Sequence, residues 1–215
     1  LPAEVWTMAV PPGLAGFGAL LTFAALLGRL VAIPPSQPIV TPPEMPPITA
    51  FALLVMGSLV AGVTEEAGFR GYMQGPIERR FGRVLGIVVP GVVFGLLHFP
   101  DHPSHVVGML PYYVAVSAAY GGIPAACNSI LPALALHAGG DVWSLTRLWM
   151  TGVAEWQVAG QPQPLVWDTG VDAEFLIAAA FLLGFAIICA WLCALTARLR
   201  QAATGPEPAQ GNAAG

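Results

Sequence analysis

The sequence predicts an all-α, polytopic integral membrane protein of about six transmembrane helices around a polar intramembrane site. Three observations predict it. Only 9 % of the 215 residues are charged and 56 % are hydrophobic, with mean hydropathy +0.71; soluble domains carry about 25 % charged residues. Long uncharged stretches recur at Val5–Gly28, Met45–Thr64, Val84–Pro100, His102–Gly140 and Phe175–Ala197, and a span needs about 20 apolar residues. A few ionisable side chains nonetheless fall inside or at the ends of these stretches, beginning with "TEEAGFRGYMQ" at Thr64–Gln74.

Spans are expected near residues 13–33, 48–68, 84–100, 106–121, 124–146 and 175–197. The first two are joined by "IPPSQPIVTPPEMPP", too rich in proline for a helix and expected to be extended outside the bilayer. "GPIERRFGR" turns the chain between the second and third, and "PDHPSH" between the third and fourth. Gly121–Gly122 is the expected break between the fourth and fifth. The loop from Met150 to Asp172 carries Trp156 and Trp167, residues suited to the membrane interface. Residues 1–201 read as one transmembrane domain with its core motif region at 48–148, and 202–215 as a disordered tail. No cationic leader precedes the first apolar stretch, so a signal peptide is not expected.

The net charge is −4 and the chain has no basic run, which argues against a nucleic-acid partner. Cys127, Cys189 and Cys193 lie in apolar segments at a spacing that fits neither zinc nor a disulfide framework, so packing is expected. Arg79, Arg80, Arg83, Arg198 and Arg200 fall on one side of a six-span topology. By the positive-inside rule that side is cytoplasmic, with both termini inside a multi-pass protein of the cell (inner) membrane.

The intramembrane polar residues are Glu65, Glu66 and Arg70 in the second span, His98 ending the third, and His137 with Asp141 in the fifth. An ionised carboxylate at bilayer depth costs at least ~2.5 kcal/mol, so such groups face a protein interior and are functional by default. Glu65 lies 16 residues before Phe81 and His98 lies 17 after it; on straight helices both stand roughly 24–26 Å from that turn. Counted from Gly121–Gly122, His137 falls roughly 22 Å along its own helix. Glu66 and Arg70 are spaced for an i, i+4 ion pair, which turns Glu65 about 100° away from both. Gly91, Gly95 and His98 share a face whose small residues let a neighbouring helix close in.

Each residue also has a bland reading. Glu66 and Arg70 fit a neutralised structural pair, whereas Glu65 has no local partner. His98 and His137 could each be a packing histidine, and His102 and His105 read as solvated. Asp141 could orient His137 or cap a helix end.

"EEAGFRG" (Glu65–Gly71), "FGLLH" (Phe94–His98) and "HAGGD" (His137–Asp141) resemble, in order, the EExxxR, FxxxH and HxxxN/D motifs of the CPBP intramembrane protease family. That family includes CAAX prenyl endopeptidases of the Rce1 type and bacterial Abi proteins. The resemblance covers Thr64 to about Val142. It implies an intramembrane endopeptidase in which Glu65, with His98, activates water, while His137 and Asp141 stabilise the oxyanion. Glu66 and Arg70 would hold the first motif in shape. Many members carry asparagine where this chain has Asp141; an ionised aspartate repels an oxyanion, so Asp141 is either protonated or, the favoured expectation, orients and charges His137, which is then the only donor. No metal cofactor is expected. If a divalent ion such as zinc takes part, Glu65, His98, His137 and Asp141 are its expected ligands. Membrane lipid, and a peptide or protein substrate entering from the membrane or the cytoplasmic side, are the expected partners. A proton-coupled transporter using the same acids and imidazoles, and a non-catalytic Abi-type immunity or scaffold protein, are the competing readings.

Overall fold

The computed structural model describes residues 3–33, 38–98, 106–154 and 163–204, and among these it is helical with no strand. The helices are α1 (Ala3–Leu30), α2 (Pro47–Glu65), a π-helical segment (Glu66–Gln74), α3 (Gly75–Phe81), α4 (Arg83–Leu97), α5 (Val106–Cys127), α6 (Leu131–Thr151), the single turn α7 (Val166–Thr169) and α8 (Ala173–Thr204). Trp6–Leu30, the 35-residue rod Pro47–Phe81 and Ala173–Ala202 are long and apolar enough to cross a membrane, and Arg83–Leu97 is a shorter apolar helix. The protein is an all-α integral membrane protein.

Contacts fix the directions. Met8 and Pro12 meet Thr196 and Cys189, whereas Arg29 meets Asp172, so α1 and α8 are antiparallel. Gly91 meets Val114 and Ser117, and Gly95 meets Leu110, so α4 and α5 are antiparallel too. Gly13 approaches Leu136 and Phe17 approaches Trp143, which makes α6 parallel to α1. Among the described residues α1 and α6 thus run one way and α8 the other.

Bilayer hydrocarbon is as apolar as leucine, so helices associate there through close packing and hydrogen bonds. Both devices are visible. A Cβ on Gly91 would stand 2.9 Å from the Val114 Cα, and one on Gly95 would stand 2.7 Å from Leu110 Cδ1. The expected small-residue face of α4 therefore packs on α5. Because a backbone atom cannot rotate away, Gly91→Leu is expected to destabilise the protein by about 1–3 kcal/mol, read as a lower thermal midpoint in detergent.

Pro12 lies inside α1. An interior proline has no N–H for the carbonyl four residues earlier, here that of Met8. Thr196 Oγ1 of α8 lies 3.0 Å from Met8 O and 2.8 Å from Leu192 O, so one hydroxyl can serve either. Cys189 Sγ donates to Pro12 O at 3.3 Å. At the other end of this pair, Arg29 holds both Asp172 oxygens (3.4 and 2.7 Å) and Pro164 O (2.7 Å). Asp172 also caps α8 by accepting from Phe175 N at 2.8 Å. Trp167, at the expected interface, donates from Nε1 to Leu30 O at 2.8 Å; Trp156 lies outside the described residues.

The Arg29 hydrogen bonds, and then the Phe175 N–H, hold the Asp172 carboxyl below its ordinary range. A depressed carboxyl contributes stability above the ordinary value of about 3.9 and loses it as pH falls through the folded value. Asp172→Asn is therefore expected to lower the melting midpoint at pH 7, with the gap to the parent protein closing only below about pH 4.

Two sequence expectations need correction. The chain does not break at Gly121–Gly122: α5 runs on to Cys127. Gly121 instead makes room for Gln74, whose Oε1 would stand 2.8 Å from a Cβ there. The break comes at Asn128, φ 55°, a residue type that tolerates the left-handed region. The fifth helix consequently starts at Leu131, so His137 stands about 9 Å, not 22 Å, along it. Likewise α8 continues through Thr204, three residues into the expected tail, and the rest of the tail lies outside the described residues.

Candidate active site

The two adjacent glutamates sit at a seam. Glu65 ends α2, and Glu66 opens nine residues of π-helix. Hydrogen bonding from i to i+5 widens the helical turn and is found frequently at functional sites. Here it buries Glu66, Phe69, Arg70 and Gln74.

Glu66 is the hub. Its side chain and that of Arg70 are fully buried, with Glu66 Oε1 3.1 Å from Arg70 Nη1. The same oxygen accepts from His137 Nδ1 of α6 at 2.8 Å. The expected local pair is thus also a long-range one. The Arg70 Cζ lies 5.9 Å from the ring centroids of Phe69, Phe94 and Tyr120. That aromatic box surrounds the cation with negative ring faces, while Glu66 Oε2 and the guanidinium nitrogens have no well-aligned hydrogen-bond partner among the described residues. Below it, Gln74 Nε2 donates to Gly121 O at 3.1 Å, tying the π segment to α5.

Beside this hub lies a cavity of about 260 Å³ where α1, α2, α4, α5 and α6 meet. Glu65, His98, His137 and Asp141 all line it, so the four expected catalytic residues share one space. With Nδ1–H committed to Glu66, His137 presents Nε2 to two carboxylates, Glu65 Oε2 at 3.5 Å and Asp141 Oδ2 at 3.8 Å. Glu66, missed by the sequence as a partner of this ring, holds the nitrogen opposite the one that faces Asp141. Asp141 places its charge beside Nε2.

His98 is placed differently. Its Nδ1 lies 2.8 Å from Phe94 O; a carbonyl only accepts, so Nδ1 carries the proton and Nε2 of the neutral ring is an acceptor. Among the described residues Glu65 is paired with His137 and not with His98, which shares the cavity with it. His102 and His105 lie outside the described residues.

The sequence alone missed the residues that hold the imidazoles. Tyr113 stacks on His98 (4.7 Å between centroids, 26°), and Tyr120 stacks on His137 (4.9 Å, 13°). The two tyrosines are seven residues apart on α5, hence on one face. That spacing of phenols in an apolar helix was the available signal. Phe94 completes the wall, edge-on to His98 at 4.6 Å and to Tyr113 at 5.6 Å.

The four expected metal ligands line one cavity. Among the described residues no three His, Cys, Asp or Glu side chains converge as a metal site.

Residues 47–143 match the family model described as type II CAAX prenyl endopeptidase Rce1-like. The match covers less than half of the 215 residues, yet it holds all three motifs and leaves α1 and α8 outside. The segment is similar to the Rce1-like family, as the motifs imply. No curated protein and no solved structure gives a significant match.

Proposed function

We propose that this Rce1-like membrane protein is an endopeptidase that hydrolyses a peptide bond of a membrane-associated peptide or protein. Glu65 acts as general base. The observation that carries the reading is the placement of Glu65 3.5 Å from His137 Nε2 in a cavity enclosed by apolar helices. A transporter needs such groups strung along a path; here they converge on one space.

The chemistry follows from the donor and acceptor assignments. Glu65 removes a proton from water as its oxygen bonds to the scissile carbonyl carbon, and His98 Nε2 is a second acceptor for that water. The carbonyl becomes an oxyanion. His137, in its imidazolium form, donates from Nε2 to that oxyanion while Nδ1 stays on Glu66. Donors fixed in a site of low dielectric are worth more than in water. When the C–N bond breaks, the proton on Glu65 passes to the departing amine. Glu65 and Asp141 flank Nε2 and attract the positive charge of the ring, so Asp141→Asn is expected to lower kcat about tenfold, or about 1.4 kcal/mol. A faster Asp141→Asn enzyme, measured on the same peptide, would contradict this role.

The test is digestion of a membrane-peptide library by the protein in liposomes. New termini expected from the parent protein should disappear with Glu65→Ala. Intact peptides together with proton flux would instead support a transporter. We also place the Arg79–Arg83 turn, with Arg198 and Arg200, on the cytoplasmic side of the cell membrane in a six-span topology. Arg29 and Arg147, on the opposite side, are held by Asp172 and by backbone carbonyls of the loop after α6. Labelling of a cysteine introduced at Arg80 by an impermeant maleimide from the outside would overturn that orientation.

A further inference from the structure

We propose that the Tyr120 hydroxyl is a second hydrogen-bond donor to the oxyanion, making Tyr120 a catalytic residue. The inference rests on the hydrolytic reading above and adds a residue that none of the three motifs contains.

Three placements support it. The Tyr120 ring lies nearly flush on the His137 imidazole, 4.9 Å and 13° apart, so the two rings are held in parallel, and both residues line the cavity. The hydroxyl lies over Gly140: a Cβ there would stand 3.2 Å from Tyr120 Oη. Gly140 and Asp141 both line the cavity, so the phenol oxygen sits beside the position where the third motif ends. Finally, the Arg70 Cζ lies 5.9 Å from the Tyr120 ring, on the hub that also fixes His137 through Glu66.

The chemistry selects the role. A tetrahedral oxyanion needs N–H or O–H donors aimed at it. Ionised Asp141 is an acceptor only and cannot supply one. Tyrosine supplies an O–H, and its rigid ring needs no reorganisation to do so. The hydroxyl keeps its proton throughout; whatever bond it makes at rest is exchanged for one to the oxyanion, so no proton changes hands at Tyr120. Tyr113, two turns away, supports His98 in a similar stacked pair, but only Tyr120 lies over the backbone next to Asp141.

Tyr120→Phe separates the hydroxyl from the stack. In the liposome assay, with Glu65→Gln as the control, Tyr120→Phe is expected to lower kcat by about 10²–10³-fold. KM and the melting midpoint should stay near those of the parent. A parent-like rate for Tyr120→Phe, with a slow Tyr120→Leu, would show that the ring acts by stacking alone and overturn the proposal. So would a loss confined to KM. If Tyr120→Phe does not fold, Gly140→Ala displaces the hydroxyl from the opposite side; a lowered kcat supports the proposal and an unchanged one overturns it. A parent protein that cleaves nothing overturns the hydrolytic reading and this proposal together. Cleavage that survives Glu65→Gln removes only the assignment of the base, and the Tyr120 comparison still decides the donor.

Discussion

Arg70→Leu is expected to destabilise the protein by about 3–5 kcal/mol, enough to abolish a defined melting transition in a marginally stable fold. The side chains of Arg70 and Glu66 are both fully buried, 3.1 Å apart. Removing the cation leaves a carboxylate sealed among apolar helices with His137 as its remaining partner. It also empties an aromatic box whose three rings, Phe69, Phe94 and Tyr120, all face the guanidinium. Glu66→Gln combined with Arg70→Leu removes the stranded charge and is expected to recover part of the loss. Denaturant titration in detergent reads both. Equal losses in the single and double variants would mean that packing of the box, and not the charge, is what Arg70 supplies.

Glu65→Gln is expected to act on rate and not on stability. Loss of a general base costs about 10²–10⁴-fold, and glutamine keeps the shape of a side chain that is 28 % exposed to the cavity. The melting midpoint should hold while kcat collapses. His98→Ala and His137→Ala then separate the two imidazoles. His137 touches Glu65, Glu66 and Asp141, so its loss should disturb both the fold and the rate. The His98 Nδ1 bond goes only to the Phe94 carbonyl of its own helix, so its loss should lower the rate with a smaller change in melting. An active Glu65→Gln enzyme, measured on the same peptide, would remove Glu65 from the chemistry.

Much of this site was legible before any coordinates. Glu65, His98, His137 and Asp141 stand out because each is costly in hydrocarbon, and cost is readable from residue type alone. The face formed by Gly91, Gly95 and His98 followed from helical periodicity, and α5 does close onto it. What periodicity cannot report is a change of period. The π-helix from Glu66 to Gln74 alters the face each residue presents, and so the reach of Glu66 to His137 was hidden behind its local pairing with Arg70. The Gly121–Gly122 break was misplaced for a related reason. Glycine marks both a helix end and a close approach, and only the arrival of Gln74 from another helix tells the two apart. Tyr113 and Tyr120 went unnoticed because a tyrosine is ordinary in an apolar helix until a histidine is laid against it.

The Rce1-like segment stops short of the two outermost helices, yet these are not mere padding around it. By withdrawing its amide, Pro12 creates a debt at Met8 that hydrocarbon solvent cannot settle, and Thr196, 188 positions beyond Met8, has a hydroxyl in reach of it. The imino acid and the hydroxyl thus form a matched pair across the two outer helices: α8 offers in lipid the donor that α1 lacks, so the flanks of the Rce1-like segment are fastened to each other as well as to it.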